Sequence, residues 1–309
     1  MSLILNRDDQ ISQELIDEHD RFSTSSSRCI QFEIQAALIP DENKFEYQSA
    51  EELVTIVQGF VGLGSAHERS VYFHGISDTE SEVIERKLDA VGVMGMVRFT
   101  FEKALDAAIL RIRPGSDHQT IAYSFASDFT RKMNSIPADG KRLISCGGPS
   151  MFRIPGVRSK EGDQSFRPRT RTGIAAWPSV IVHVGYPGGM RDLRLDAEWW
   201  LLHSEGKTRF VILMEMKRDP FALHIECWMM VETGSRRTRH TPSKIPSHVQ
   251  DFDIDAAGYV TSKTGSTKLE IPYDAIFDVP NPVSPPPDAT SFSFAELSEF
   301  AIMLFEDLS

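Results

Sequence analysis

The chain has 309 residues, of which 41% are hydrophobic and 25% charged, with a formal net charge of −11 at neutral pH. These proportions exclude wholesale disorder, and the acidic balance excludes coating nucleic acid through bulk charge, although a local basic patch stays compatible with it. The length suits one large domain or two ordinary ones. Cys29, Cys146 and Cys227 are too few and too scattered for a disulfide framework or a zinc pattern, so small core residues in a reducing interior are expected. No run approaches the roughly 20 apolar residues of a membrane span. The opening MSLILNRDDQ has too short an apolar run for a signal peptide. An intracellular protein, cytoplasmic or nuclear and without a membrane partner, is the expectation.

In chain order, residues 1–28 are polar and end in the serine-rich RFSTSSSR, which reads as a flexible tail. CIQFEIQAAL (29–38) alternates and predicts a strand. SAEELVTIVQGFVGLG (49–64) has Ser49 followed three residues later by Glu52, a capping-box pattern, and predicts a helix ended by Gly62 and Gly64. SDTESEVIERKLDAVG (77–92) repeats the arrangement, with Val83, Ile84, Leu88 and Val91 on one face. Residues 29–106 thus read as an α+β extension. AAILRIRPG, from Ala107, is a short strand stopped at Pro114-Gly115. His118, Ile121, Ala122, Phe125, Phe129 and Met133 form one stripe, which predicts a helix over 116–134. KRLISCGGPSMFRIP (141–155) reads as a strand broken by a Gly-Gly-Pro turn, and a further strand starts near Asp163.

WPSVIVHVGY (177–186) is β-branched and apolar apart from His183, as in a central strand covered on both faces. A helix over 190–203 turns Leu193, Ala197, Trp200 and Leu201 inward and Arg191, Asp192, Arg194 and Glu198 outward. The Trp199–Trp200 pair predicts packing, with one ring partly exposed. TRFVILMEM (208–216) and HIECWMMVE (224–232) are buried strands, and the strand–helix–strand spacing predicts a parallel pair with a right-handed crossover. Residues 233–266, with the basic RRTRH, read as a long loop or hairpin excursion. A strand and turn (267–279), a proline-rich linker and a closing helix over 291–308, with Leu297, Phe300, Ala301 and Leu304 inward, complete the chain.

Two features bear on chemistry. His183 is either a hydrogen-bonded core histidine or a ligand position. Arg153, Arg158, Lys160, Arg167, Arg169 and Arg171 concentrate positive charge in an acidic chain, as a solvated loop or as a phosphate-facing edge. Neither a Gly-x-Ser-x-Gly motif nor a nucleotide-binding GxGxxG is present.

The succession helix (116–134), three strands, helix (190–203), strand (208–216) resembles the αβββαβ core of the PD-(D/E)XK nuclease-like superfamily. EGDQSFRP, WPSVIVHVGY, LRLDAEWWLLHSEGKTRFVIL and LEIPYDAIFDVP resemble a group of uncharacterised fungal proteins related to the Uma2-type restriction-endonuclease-like family. The resemblance implies an α/β (α+β) fold. A restriction-endonuclease-like core would span 107–309, including the loop 233–266 and a C-terminal strand–helix closure. It also implies phosphodiester hydrolysis with Mg²⁺ or Mn²⁺ held by carboxylates. Asp163 falls on the first acid of the family pattern, but His183 stands where the second is expected and Gly185 where a Lys would follow. The helical His-Glu pair reads His118-Gln119, and the displaced cation would be Arg194 or Arg191. Glu215 and Asp196 are the substitutes for the missing acid, with Asp196 expected on the helix surface.

The resemblance therefore implies a degenerate catalytic set of Asp163, His183 and Arg194. Asp163, His183 and Glu215 are the metal candidates, and Lys160, Arg167, Arg169 and Arg171 would contact nucleic acid. The expected function is a nuclease fold without hydrolysis, whose partner is DNA, RNA or a protein. The alternatives are an active metal-dependent nuclease with a substituted site, and a protein-interaction module with no nucleic-acid role.

Overall fold

A computed structural model describes residues 27–62, 69–93, 96–112, 117–135, 143–145, 151–154, 158–173, 176–187, 189–232, 244–278 and 290–309. The tail over 1–26, the RRTRH segment and most of the proline-rich linker lie outside the described residues, as do the side chains of Cys29 and Cys146.

The fold is mixed α+β, built on two large sheets. Residues 29–37 of the 29–38 segment expected as a strand belong to helix α1 (Ser27–Ala37). Alternation and helical periodicity coexist in CIQFEIQ, and burial decides between them: Phe32 and Ile39 pack on Ala107 and Ile109 of a neighbouring strand. The first sheet runs β1 (Lys44–Glu46), β2 (Arg69–His74), β4 (Ala107–Ile112), β3 (Val97–Glu102), β7 (Arg158–Glu161), β6 (Met151–Ile154). Helices α2 (Ala50–Gly62) and α3 (Asp78–Ala90) cover one face, where Leu53, Val57, Ile84 and Leu88 meet Phe99 and Leu110. Their starts follow the predicted caps. The Glu52 amide donates to Ser49 Oγ at 3.2 Å, and Ser77 and Glu80 form a full capping box. Val91, expected inward, falls past the end of α3 and is exposed.

β3 and β4 are buried at every position. Phe99, Phe101, Leu110 and Ile112 point to the helices, while Arg98, Thr100 and Arg111 alternate onto the opposite, equally buried face. Such two-faced strands belong inside a sheet, so the expected unit boundary at 107 is corrected. β4 is an inner strand of the N-terminal sheet, and the β6–β7 hairpin joins it through Phe101↔Ser159 and Glu102↔Arg158.

The second sheet runs β13 (Val260–Thr261), β12 (Lys244–Asp255), β11 (Phe221–Glu232), β10 (Phe210–Arg218), β9 (Val180–Gly185), β8 (Gln164–Pro168), β5 (Leu143–Ser145). β8 is antiparallel to both β5 and β9, and β9 and β10 are parallel, as the strand–helix–strand spacing predicts. Helix α4 (Asp117–Ser135) packs through Ile121, Phe125 and Phe129 against Val180, Val182 and Val184. On the opposite face α5 (Met190–His203) packs through Leu193, Ala197 and Trp200 against Ile181, Val211 and Leu213. The elements α4, β5, β8, β9, α5 and β10 follow one another, with the β6–β7 hairpin inserted.

Of the two readings of residues 233–266, a long loop or a hairpin excursion, the described part follows the second: residues 244–255 form β12, which pairs antiparallel with β11 from Ala222↔Asp255 to Glu232↔Lys244 around a bulge at Cys227/Trp228. Polar residues line much of its outer face, which hides the strand period, yet Phe252, Ile254 and Val260 are buried. Then β14 (Lys268–Glu270), α6 (Tyr273–Ile276), β15 (Ser291–Ser293) and α7 (Phe294–Asp307) close the core, with Leu297, Phe300, Ala301 and Leu304 inward as expected. Among the described residues no helix is long and apolar enough to cross a membrane.

Two turn glycines offer a test of how tightly α7 is docked. Gly258 (φ +79°) and Gly265 (φ +75°) both sit in the left-handed region, but only at Gly258 would a Cβ lie 2.7 Å from Ile302 Cδ1 and Ser298 Oγ of α7. Urea denaturation should show Gly265→Ala losing about 1 kcal/mol from backbone strain alone, and Gly258→Ala losing more. Equal losses would mean that the turn yields without disturbing the helix.

Candidate functional site

Asp163 lies just before β8, where its amide donates to Val182 O at 3.1 Å and its Oδ2 accepts the Val184 amide at 2.7 Å. The carboxylate is therefore held by the edge of β9. The same Oδ2 lies 2.5 Å from Nη2 of Arg98, which reaches across from β3. Arg98 Nη1 donates to Asp196 Oδ2 of α5 at 3.0 Å. Arg111, on β4, donates to the same oxygen at 2.9 Å and to Oδ1 at 3.4 Å. Gln35 Nε2, from α1, adds a bond to Asp196 Oδ1 at 3.3 Å. Two arginines of the first sheet are thus matched to two aspartates carried by the second.

Both predicted histidines border this group. His118 Nε2 lies 2.7 Å from Val184 O, so it carries the proton, and is 3.4 Å from Asp163 Oδ2. His183 Nε2 accepts the Trp200 indole N–H at 2.8 Å, which leaves the proton on Nδ1, 3.6 Å from Asp163 Oδ2. Burial first, and then the positive charge of Arg98, pushes the His183 pKa down to about 4 against the pull of the two aspartates, so the ring is neutral. Burial opposes the charge on Arg98, but Asp163 and Asp196 outweigh it and hold the guanidinium protonated.

No side chain among Arg98, Arg111, Asp163, Asp196, His118 and His183 is more than 4% exposed. Asp163 and His183 lie side by side in the buried interior and not in a cleft. A resident divalent ion does not fit this arrangement. The Asp163 oxygen nearest the histidines is occupied by a guanidinium and an amide, the His118 Nε2 proton is directed at the Val184 carbonyl, and the lone pair of His183 is taken by the Trp200 indole. Among the described residues no three His, Cys, Asp or Glu side chains gather as a metal site.

Four expectations change. Asp196 is fully buried, because Arg98 and Arg111 neutralise it. Trp199 and Trp200 are both buried, their rings 5.2 Å apart at 89°, because Trp200 turns inward to His183 and Trp177 covers it from outside. Glu215 Oε1 accepts the Met190 amide at 3.0 Å and so caps the N-terminus of α5. Arg194 does not join Asp163 and His183. It grips Glu226 on β11 in a two-pronged pair, Nη2 to Oε1 at 2.6 Å and Nε to Oε2 at 3.1 Å. Gln119, beside His118 on α4, faces outward.

The basic segment is partly turned onto its own chain. Arg171 binds Asp278 through Nη2 (2.6 Å) and Nε (2.9 Å), and its Nη1 donates to the carbonyls of Trp177 and Lys207. Arg167 Nη1 donates to the carbonyl of Gly173. Arg169 is exposed, while the side chains of Arg153, Arg158 and Lys160 lie outside the described residues.

A second polar cluster, unremarked in the sequence, sits on β11 and β12. Glu226 accepts from Arg194, from Trp228 Nε1 at 3.0 Å and from His224 Nε2 at 3.2 Å. His224 Nδ1 lies 2.6 Å from Asp253 Oδ1, and Lys263 pairs with Asp253 at 2.9 Å. The signal was the i, i+2, i+4 set His224, Glu226 and Trp228, which share one face of the strand. Burial disfavours charge on both His224 and Glu226, yet their mutual bonds and those to Asp253 and Arg194 outweigh it. His224 is raised above its ordinary pKa, and Glu226 is held well below the carboxylate range.

No protein-family model and no curated protein sequence matches the chain at a significant level.

Two measurements follow from these geometries. Asp196→Asn should cost about 3–5 kcal/mol in denaturant unfolding, because it strips two buried guanidiniums of a shared partner. The loss in Arg111→Met/Asp196→Asn should fall short of the sum of the single losses, and strict additivity would mean that the pair is not coupled. For His224, a folded pKa above the unfolded one gives stability that is complete below about pH 6.5 and lost as pH rises through the folded value. The advantage of wild type over His224→Gln should therefore be larger at pH 6 than at pH 9. His183 acts oppositely: with a folded pKa of about 4, it withdraws stability as pH falls from about 6.5. A pH-independent advantage at His224 would rule out the doubly paired, charged histidine.

Proposed function

We propose that the chain is a restriction-endonuclease-like protein that does not hydrolyse phosphodiesters and acts by binding a protein partner. The succession α4, β5, β8, β9, α5, β10, with its helices on opposite faces of the sheet, supports the core assignment. One observation carries the absence of hydrolysis. The carboxylate of Asp163, on which the family's metal would depend, is 1% exposed, and its Oδ2 is shared by the Val184 amide and Arg98. Hydrolysis needs a metal-bound water and a phosphate in contact with that acid, and neither reaches it while Arg98 is in place. His183 supplies no second negative charge, and Glu215 is engaged at the start of α5. Arg194, the displaced cation, is neutralised by Glu226.

A protein partner is favoured over a nucleic acid by the net charge of −11 and by the inward donation of Arg167 and Arg171. Arg169 is then an exposed loop residue, without a phosphate to meet.

Purified protein incubated with single- and double-stranded DNA and RNA in Mg²⁺ or Mn²⁺ should leave every substrate intact. Cleavage by the wild type that Asp163→Asn abolishes would overturn the reading. Fluorescence anisotropy with the same nucleic acids should show no binding that weakens with salt. A salt-dependent affinity reduced by Arg169→Glu would replace the protein partner with a nucleic acid.

A further inference from the structure

We infer that the groove between α4 and α7 docks an amphipathic helix of a protein partner, one whose apolar ridge is flanked by lysines or arginines. The two helices run antiparallel. Lys132, late in α4, pairs at 2.5 Å with Glu296, early in α7. At the other end Arg218 ties Asp117, which starts α4, at 2.7 Å to the Leu308 carbonyl just past α7 at 3.2 Å. Both ends of the groove are thereby fixed. Between Glu296 and Asp307 α7 rises about 16 Å, three turns of helix, and the groove encloses about 630 Å³.

Its floor is apolar. Phe292, Phe300 and Leu304 line it, and Phe125 packs against both phenyl rings, at 5.4 and 5.9 Å between centroids. Its walls carry apolar groups that the fold leaves uncovered. Among the described residues only three large apolar or aromatic side chains are more than half exposed. Two of them, Tyr123 at 72% and Met303 at 59%, stand on the two helices that form this groove. An apolar strip with a charged rim is the signature of a surface that a partner covers, and tyrosine and methionine are the side chains suited to grip one. The walls offer side-chain ridges and no sheet edge for backbone pairing, so a third helix fits better than an extended peptide.

Charge selects the partner. The lining holds four carboxylates, Asp128, Glu296, Glu299 and Asp307, against two cations, Arg131 and Lys132, a net of −2. Both cations are already paired inside it, Arg131 with Asp128 at 2.9 Å and Lys132 with Glu296. The surplus is therefore Glu299 and Asp307, both exposed on α7. Lysines or arginines beside an apolar ridge answer that surplus, whereas a nucleic acid or an acidic peptide is repelled by it. A second copy of this chain fails for the same reason, since a two-fold contact would set the net −2 lining against itself.

The test uses the full chain and a phage library displaying random peptides of about 16 residues, long enough for three helical turns. Selection on the wild type, with subtraction on Tyr123→Glu/Met303→Glu, should enrich bulky apolar residues at helical spacing flanked by Lys or Arg. Fluorescence anisotropy with an enriched peptide should show an affinity that weakens with salt. It should fall about tenfold or more in Tyr123→Glu/Met303→Glu and in Glu299→Lys/Asp307→Lys. All four side chains are exposed, so both variants should unfold at the wild-type temperature. Enriched peptides that are acidic, or that bind the variants as tightly as the wild type, would sink the inference, and so would a selection without enrichment. Self-association of the wild type in sedimentation, lost in Tyr123→Glu/Met303→Glu, would replace the partner with a second copy. The inference rests on the reading of a protein partner. Failure of that reading would appear separately, as salt-dependent nucleic-acid binding that the groove variants leave unchanged.

Discussion

The guanidinium of Arg98, bridging Asp163 and Asp196, is the interaction on which the rest of the structure depends. Its two partners come from the second sheet and the helix above it, while Arg98 and Arg111 come from adjacent strands of the first. Each unit alone would bury or expose charges that only the other compensates. An uncompensated buried charge is far more damaging than an exposed one, so these ion pairs couple the stability of the two sheets. The β6–β7 hairpin reinforces this coupling covalently, because it leaves the second unit's chain path to complete the first sheet.

Much of this was legible in the sequence wherever one period dominated. VIVHVG could only be an inner strand, the stripe from His118 to Met133 could only be a helix, and the Ser49 and Ser77 caps marked where helices begin. Legibility failed where two periods coexisted or the partner was remote. CIQFEIQ suits a strand or a helix equally, and only the apolar surface of Ala107 and Ile109 decides. In VRFTFE and AAILRI the arginines alternate with apolar residues, the pattern of a half-solvated strand. Their true partners lie 65 to 98 positions away, and nothing local announces them.

The candidate site was legible by position and misread by environment. Asp163 and His183 do meet, as their places before β8 and within β9 imply. A charged Asp196 suggests the helix surface, yet it stands three residues after Leu193 and four before Trp200, on the buried stripe of α5. A charged residue on an apolar stripe is itself a sign of a buried partner. The indole of Trp200 makes the same point for His183: by donating to Nε2 it fixes the tautomer and turns a ligand position into scaffolding.

What the internal arginine changes is the chemistry available, not the charge. A divalent ion and a guanidinium both neutralise paired carboxylates, but a metal also binds and acidifies water, whereas a guanidinium only donates hydrogen bonds and never gives up its proton near neutral pH. A metal exchanges with solvent; Arg98 is tethered to β3 and cannot leave without disrupting the first sheet. Electrostatic support for the fold is thereby supplied by a side chain, and Arg98 occupies the side of the Asp163 carboxylate that a metal ion would need. It also ties the two sheets together, since the acids come from the second unit and the guanidiniums that neutralise them from the first.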